Sequence, residues 1–147
     1  MTKLIPSDFI KQQHYGVLST HSVSEKGYPF GSITPYITTA DGKIAIYISH
    51  LAEHTHNISV NNKVSLTIFD PNDSGNPNAG PRITCLADAT ATNNDKELSR
   101  LYLQQFPESE VVLTLPGFQF YILELVNIRL VAGFGKVQWL TPEQLAL

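Results

Sequence analysis

The dipeptide Asp41-Gly42, set between two apolar runs, Phe30 to Thr39 and Lys43 to Ile48, constrains the fold more than any other stretch of the chain. An Asp-Gly pair supplies the positive φ that a tight two-residue connection needs, so the flanking runs are predicted to pair as an antiparallel hairpin. Further strand-like runs occur at Tyr15 to Thr20, Val64 to Phe69, Arg82 to Thr92 and Phe118 to Arg129. The last continues through Leu130 to Phe134, where Gly133 and Gly135 permit a bulge or a tight bend. Helix signals are fewer. Pro6 and Ser7 open a short helix, a second follows Ser49 to about Asn61, and a third spans Asp95 to Phe106 with Asn93 or Asn94 as cap. Thr141-Pro142-Glu143-Gln144 has the pattern of a capping box with proline at the first helical position. Asp70 to Pro81, rich in Pro, Gly, Asn and Asp, reads as an exposed loop. Strands and helices do not alternate, so the pattern points to a small antiparallel barrel of six or seven strands and not to a doubly wound parallel sheet.

A chain of 147 residues is read as a single domain, long enough to bury a core without disulfide or metal staples. Charged residues make up 16%, below the usual quarter, as expected of a protein that hides part of its surface against a partner. The net charge is −3 and the basic residues are scattered, which argues against nucleic-acid binding. Cys85 is the sole cysteine, so no internal disulfide forms, and its neighbours Ile83 to Ala87 predict a buried, inert thiol in a reducing compartment. The first ten residues lack the pattern of a signal peptide, and no apolar run approaches the ~20 residues of a membrane span. The expectation is a cytoplasmic protein with no membrane partner.

The chemistry concentrates between Ile48 and Ile58, where an apolar strand passes into a polar helix start that holds three of the five histidines. Ser49 is predicted to be the N-cap, so that free backbone N–H groups and the Thr55 hydroxyl face an anion, most naturally a phosphate. Only His50 and His54 have i, i+4 spacing and no zinc pattern is completed, so no metal centre is expected. There is no Gly-rich phosphate loop, nucleophile elbow or His-Glu-x-x-His motif. Asp95, Glu97, Glu108 and Glu110 read as solvated charges. No catalytic acid or base emerges, and any reaction would fall to a bound organic cofactor.

Five separated pieces occur in order: Gly27 to Ser32, Ile48 to Ile58, Asn62 to Leu66, Pro81 to Thr84, and Gly133 to Gly135. Together they resemble the pyridoxamine 5′-phosphate oxidase-like split-barrel superfamily, and within it the haem-utilisation (HugZ-type) branch. The last third is also similar to the CREG-type glycoproteins. The resemblance implies a mainly β, six-stranded antiparallel split β-barrel, homodimeric, with FMN or a related small molecule in symmetric clefts between subunits. Carried over by position, Ser32, Ser49, His54, Thr55 and Asn57 would line the flavin phosphate pocket. Arg82 would be the nearest basic residue, and the partner's Phe134 and Trp139 would cover the ring system. Where the oxidase branch has basic residues, this chain has Ser32, Ile37, His54 and Thr55, which speaks against true pyridoxamine phosphate oxidation. No histidine follows His56, so the haem-ligating histidine of the HugZ branch has no counterpart in this sequence. Three readings therefore stand: an FMN-dependent oxidoreductase, a haem-binding or haem-degrading protein, and a CREG-like dimeric module without flavin.

Overall fold

The structure is a computed structural model and describes residues 4–72, 75–93, 96–133 and 136–147. Among the described residues eight strands form one wholly antiparallel sheet: β1 (Tyr15–His21), β2 (Pro29–Pro35), β3 (Ile37–Thr38), β4 (Ile44–Ser49), β5 (Lys63–Phe69), β6 (Arg82–Ala91), β7 (Phe118–Val131) and β8 (Val137–Leu140). Their order is β2-β1-β5-β6-β7-β4-β3, with β8 added beside β7. The sheet curls until β2 lies against β4, giving a split barrel. Four short helices accompany it: α1 (Pro6–Gln12), α2 (Glu53–Val60), α3 (Lys96–Gln105) and α4 (Pro142–Leu145). Six or seven strands are expected from the sequence, and the two shortest, β3 and β8, bring the number to eight among the described residues. The six long ones are those the sequence predicts.

The expected hairpin is present between β3 and β4, but it is one residue longer than a two-residue turn. Thr39 and Lys43 exchange the closing backbone hydrogen bond, leaving Ala40, Asp41 and Gly42 in the loop, with Gly42 at φ +78°. This is the three-residue connection that needs glycine in the left-handed position. The predicted strand from Phe30 to Thr39 divides at Pro35-Tyr36. Pro35 has no N–H to offer a ladder. Beyond it the Tyr36 hydroxyl donates to the Ile10 carbonyl of α1 at 2.5 Å, and the chain leaves β1 to pair with β4.

On β7 the bulge lies not at the glycines but at Val126. Ala87 pairs with Leu125 and Leu86 with Asn127, so Val126 is the extra residue. Strict alternation would turn Ile128 and Leu130 outward, because one extra residue reverses every later side chain. With the bulge, Leu123, Ile128 and Leu130 all reach the barrel interior, where they meet Leu18, Ile44, Ile46, Leu66, Ile68 and Ile83. Each such fully buried aliphatic contributes roughly 1.5–3 kcal/mol. Gly133, at φ +103°, serves the turn into β8, while Phe134 and Gly135 lie outside the described residues.

A second core forms on the other face of β4 and β7, where Tyr47 and Phe120 pack beneath Leu98, Tyr102 and Phe106. It explains why β4 is buried on both faces and reads as a continuous apolar run. Cys85 is fully buried in the barrel, and burial pushes its thiol up to about 12, so it stays protonated and inert. Thr141 caps α4 in the predicted capping box, its hydroxyl accepting from the Gln144 N–H while the Gln144 side chain accepts from the Thr141 N–H. Among the described residues no helix is long and apolar enough to cross a membrane.

Candidate functional site

The turn from β4 into α2 differs from the sequence expectation in its cap. Ala52, not Ser49, is the N-cap of α2 and makes no side-chain cap bond. The Ser49 hydroxyl accepts instead from the Leu51 N–H at 3.1 Å, a local turn that competes with capping. Thr55 points back to the strand end and donates to the Ser49 carbonyl at 2.5 Å. Asn57 is 0% exposed: its amide nitrogen donates to Thr20 Oγ1 and its carbonyl accepts from the Val23 N–H, both at 3.0 Å. These three side chains hold α2 against β1 and the end of β4.

His54 has a different setting. Its Nδ1 lies 3.4 Å from Ser32 Oγ on β2, and its Nε2 is buried with no hydrogen-bond partner among the described residues. Ser32 pairs with Leu18, whose side chain lies in the barrel core, so the contact sits on the inner face of the sheet. Burial lowers the His54 pKa below the ordinary imidazole value, because the charged ring would be desolvated without an acceptor. The folded state then binds fewer protons than the unfolded state as pH falls through the ordinary histidine range. Stability is therefore expected to be full above that range and to decline below it, by no more than the one-proton limit of about 1.4 kcal/mol per pH unit. Denaturant titrations between pH 7.5 and 5 on the parent and on His54→Gln test this: the variant should lose part of the slope. His50 and His56 are exposed on other sides, and among the described residues no three His, Cys, Asp or Glu side chains gather to hold a metal ion.

The remaining predicted residues lie elsewhere. Ser49 pairs with Phe118 at one end of β7, whereas Arg82 pairs with Val131 at the other. Paired residues share a face, so the register Ile33-Val17-Thr67-Thr84-Arg129-Trp139 is one row across the outside of the sheet. Phe69, Arg82, Val131 and Val137 form the next row of the same face. Arg82 and Arg129 are thus diagonal neighbours. Arg82 Nη1 donates to the Asn78 carbonyl at 2.7 Å, and the Arg129 guanidinium lies over the Trp139 ring at 5.2 Å from its centre. Trp139 is 50% exposed and Ile33 77%, and the Thr67 and Thr84 hydroxyls touch at 3.0 Å between them.

Within one chain the predicted site therefore separates into one group around α2, Ser32, Ser49, His54, Thr55 and Asn57, and another on the outer face, Arg82 and Trp139. Phe134 lies outside the described residues. Arg129 went unrecognised in the sequence. Its signal is a single cation in the apolar run Ile128 to Val131, a position that alternation turns away from the core.

A curled, wholly antiparallel sheet that brings β2 against β4 defines a split-barrel protein. The CREG, beta-barrel family model matches residues 7–146, and the chain belongs to that family. It is 35% identical over 121 residues to the chloroplastic heme oxygenase HOZ of Arabidopsis thaliana, covering 80% of this chain and 36% of that one. It is 27% identical over 140 residues to the heme oxygenase HutZ of Vibrio cholerae, covering 91% of this chain and 79% of the other. The chain thus spans about a third of the length of HOZ. Among solved structures, a heme binding protein from Mycobacterium smegmatis superposes with a TM-score of 0.84 at 21% identity, over 99% of this chain and 62% of that one. A putative pyridoxamine 5′-phosphate oxidase from Listeria innocua does so with a TM-score of 0.64 at 17% identity, over 84% and 93%. The fold is that of pyridoxamine 5′-phosphate oxidase-like split barrels, and the matches to HOZ and HutZ support the expected resemblance to the haem-utilisation branch.

Proposed function

We propose that this protein binds haem in the service of haem utilisation, on the outer face of the sheet and as a homodimer. The observation that carries this reading is the 35% identity to a heme oxygenase across 80% of the chain. The chemistry of the outer face agrees with it. A porphyrin needs apolar walls for its ring and cations for its two carboxylates. Trp139, Val137 and Ile33 are exposed apolar side chains on that face, and Arg82 and Arg129 are diagonal cations within it. No histidine, cysteine or methionine stands in the two rows that hold these arginines, so the fit is to the ring and the carboxylates. When bound, haem supplies the iron redox chemistry, and the chain supplies walls and charge. Exposed apolar area of this kind, with sparse charge, also suits a partner surface.

An FMN-dependent oxidoreductase is the second reading, favoured by the likeness to pyridoxamine 5′-phosphate oxidase folds. Against it stands the α2 start, where Ser49, Thr55 and Asn57 hydrogen-bond within the protein and no lysine or arginine occurs between Ser49 and Asn62. A dianionic phosphate would find no formal cation there.

The visible spectrum of the purified protein, recorded alone and after titration with hemin or FMN, tests the two. The expected result is a saturable Soret change with hemin, weakened at least about tenfold by Arg82→Ala with Arg129→Ala, a loss of charge-assisted hydrogen bonds. Sedimentation of the same samples should give a mass of two chains. Saturable FMN binding without hemin binding would overturn the haem reading, and neither would leave the CREG-like module.

A further inference from the structure

Haem iron in proteins is held by a histidine, cysteine, methionine or tyrosine side chain, and the two rows that carry Arg82 and Arg129 offer no histidine, cysteine or methionine. The same face of the sheet holds a histidine further along β1. Tyr15, Val17, Ser19 and His21 alternate with the buried Gly16, Leu18 and Thr20, so they stand on the outer face. His21 is exposed at the end of the strand, beside Pro29 of β2, and its side chain makes no hydrogen bond among the described residues. The other four histidines are placed elsewhere: His14 meets Gln105 and the edge of Phe106, His54 meets Ser32, and His50 and His56 stand in the turn before α2 and on α2 itself. Tyr15 shares the face, but its ring packs against Phe106.

Between His21 and the row Ile33-Val17-Thr67 runs the row Gly31-Ser19-Ser65, whose longest side chain is a hydroxymethyl group. Leu86 and Asn127 continue that row on β6 and β7. It forms a trough. Its flanking rows are four residues apart along β1, about 13 Å, and the distance across the sheet from Gly31 on β2 to Arg129 on β7 is four strand spacings, about 19 Å. A Cβ on Gly31 would stand 3.5 Å from Val17 Cγ1 and 3.9 Å from Ser19 Oγ, so the missing side chain leaves open the space between the two flanking rows. On the His21 side, Lys63 and Asp88 neutralise each other at 2.7 Å.

We infer that His21 is the axial iron ligand of this protein, an assignment that rests on the haem reading of the outer face. The porphyrin stands on edge in the trough, with the His21 imidazole against one side and Ile33 and Val17 against the other. Gly31 and Ser19 make room for its edge. Its carboxylates run along the trough toward Arg129. The neutral imidazole donates a nitrogen lone pair to the iron, which no group in the arginine rows supplies.

The test is hemin titrated into the full chain, with resonance Raman spectra of the dithionite-reduced complex. The parent should show the stretch between iron and a histidine nitrogen. His21→Ala should lose it, bind hemin at least about tenfold more weakly, and regain a nitrogen-ligated spectrum when imidazole is added. Its unfolding midpoint should match the parent's, because an exposed side chain without a hydrogen bond is removed. Gly31→Val places its new atoms in the trough at ordinary contact distances, so it should fold as the parent does and bind hemin at least about tenfold more weakly. Arg82→Ala with Arg129→Ala should weaken binding and keep the stretch. A stretch that persists in His21→Ala, or saturable hemin binding by the parent without the stretch, would overturn the assignment and leave the haem reading standing. No saturable hemin binding by the parent would overturn the haem reading and the ligand with it.

Discussion

Phe120→Ala should destabilise the protein by about 4 kcal/mol, the upper part of the range for truncating a buried aromatic, and lower Tm by roughly 12 °C for a domain of this length. Phe120 is 0% exposed and forms the base of the second core. Its ring lies 4.3 Å from that of Tyr47 and 5.8 Å from that of Tyr102, the latter edge-on. Tyr102 in turn contacts Phe106 at 5.0 Å, so the rings connect β4 and β7 to α3 and to the segment behind it. Removing Phe120 leaves a cavity that several rigid rings cannot close without leaving their rotamers, which is the case in which truncation costs most. Calorimetric and urea unfolding measure it. A loss under 2 kcal/mol would mean that α3 settles onto the sheet by another route.

The second large effect is expected at Asn57. Replacing it by alanine deprives the part-buried Val23 N–H of its acceptor and the buried Thr20 Oγ1, which still donates to the Phe30 carbonyl, of its donor, and opens a small void. At about 1–3 kcal/mol for each buried group left unsatisfied, a total near 3 kcal/mol is expected, against a few tenths for the neighbouring exposed His56→Ala. Asn57→Asp should do little better, because the amide donor to Thr20 is lost and a buried charge is gained. The comparison separates a structural asparagine from one held for a ligand. If Asn57→Ala were to leave the unfolding midpoint unchanged and abolish binding of FMN, the assignment of Asn57 to the α2 anchor would fail and the phosphate reading would return.

These two residues also show what kind of information local sequence carries. Phe120 is legible as buried because it sits in an alternating run, but the run alone does not say that its face is covered by α3 while its neighbours Tyr121 and Leu123 face the barrel. Asn57 falls in the segment whose resemblance to a flavin pocket is strongest, and the same polar side chain that would suit a phosphate suits an anchor between helix and strand. Ser49 is similar: a hydroxyl before a helix has two local uses, capping and turn formation, and the choice depends on where the chain leaves β4.

The sequence by itself determined the antiparallel sheet, its six long strands, the hairpin at Gly42, the capping box at Thr141 and the inert Cys85. Each of these rests on interactions between residues close in the chain or on alternation along one strand, which the order of residues displays directly. Only the tertiary structure decided the division of the predicted site into two separate regions. Arg82, Arg129 and Trp139 come together through the register of β6, β7 and β8, and that register depends on a bulge at Val126 that no glycine or proline announces. The switch of the chain at Pro35 and Tyr36 from β1 to β4 is likewise tertiary, fixed by the bond from Tyr36 to the Ile10 carbonyl of α1. Pairings between distant segments are set by how the apolar faces close on one core, a global packing condition that no window of sequence contains.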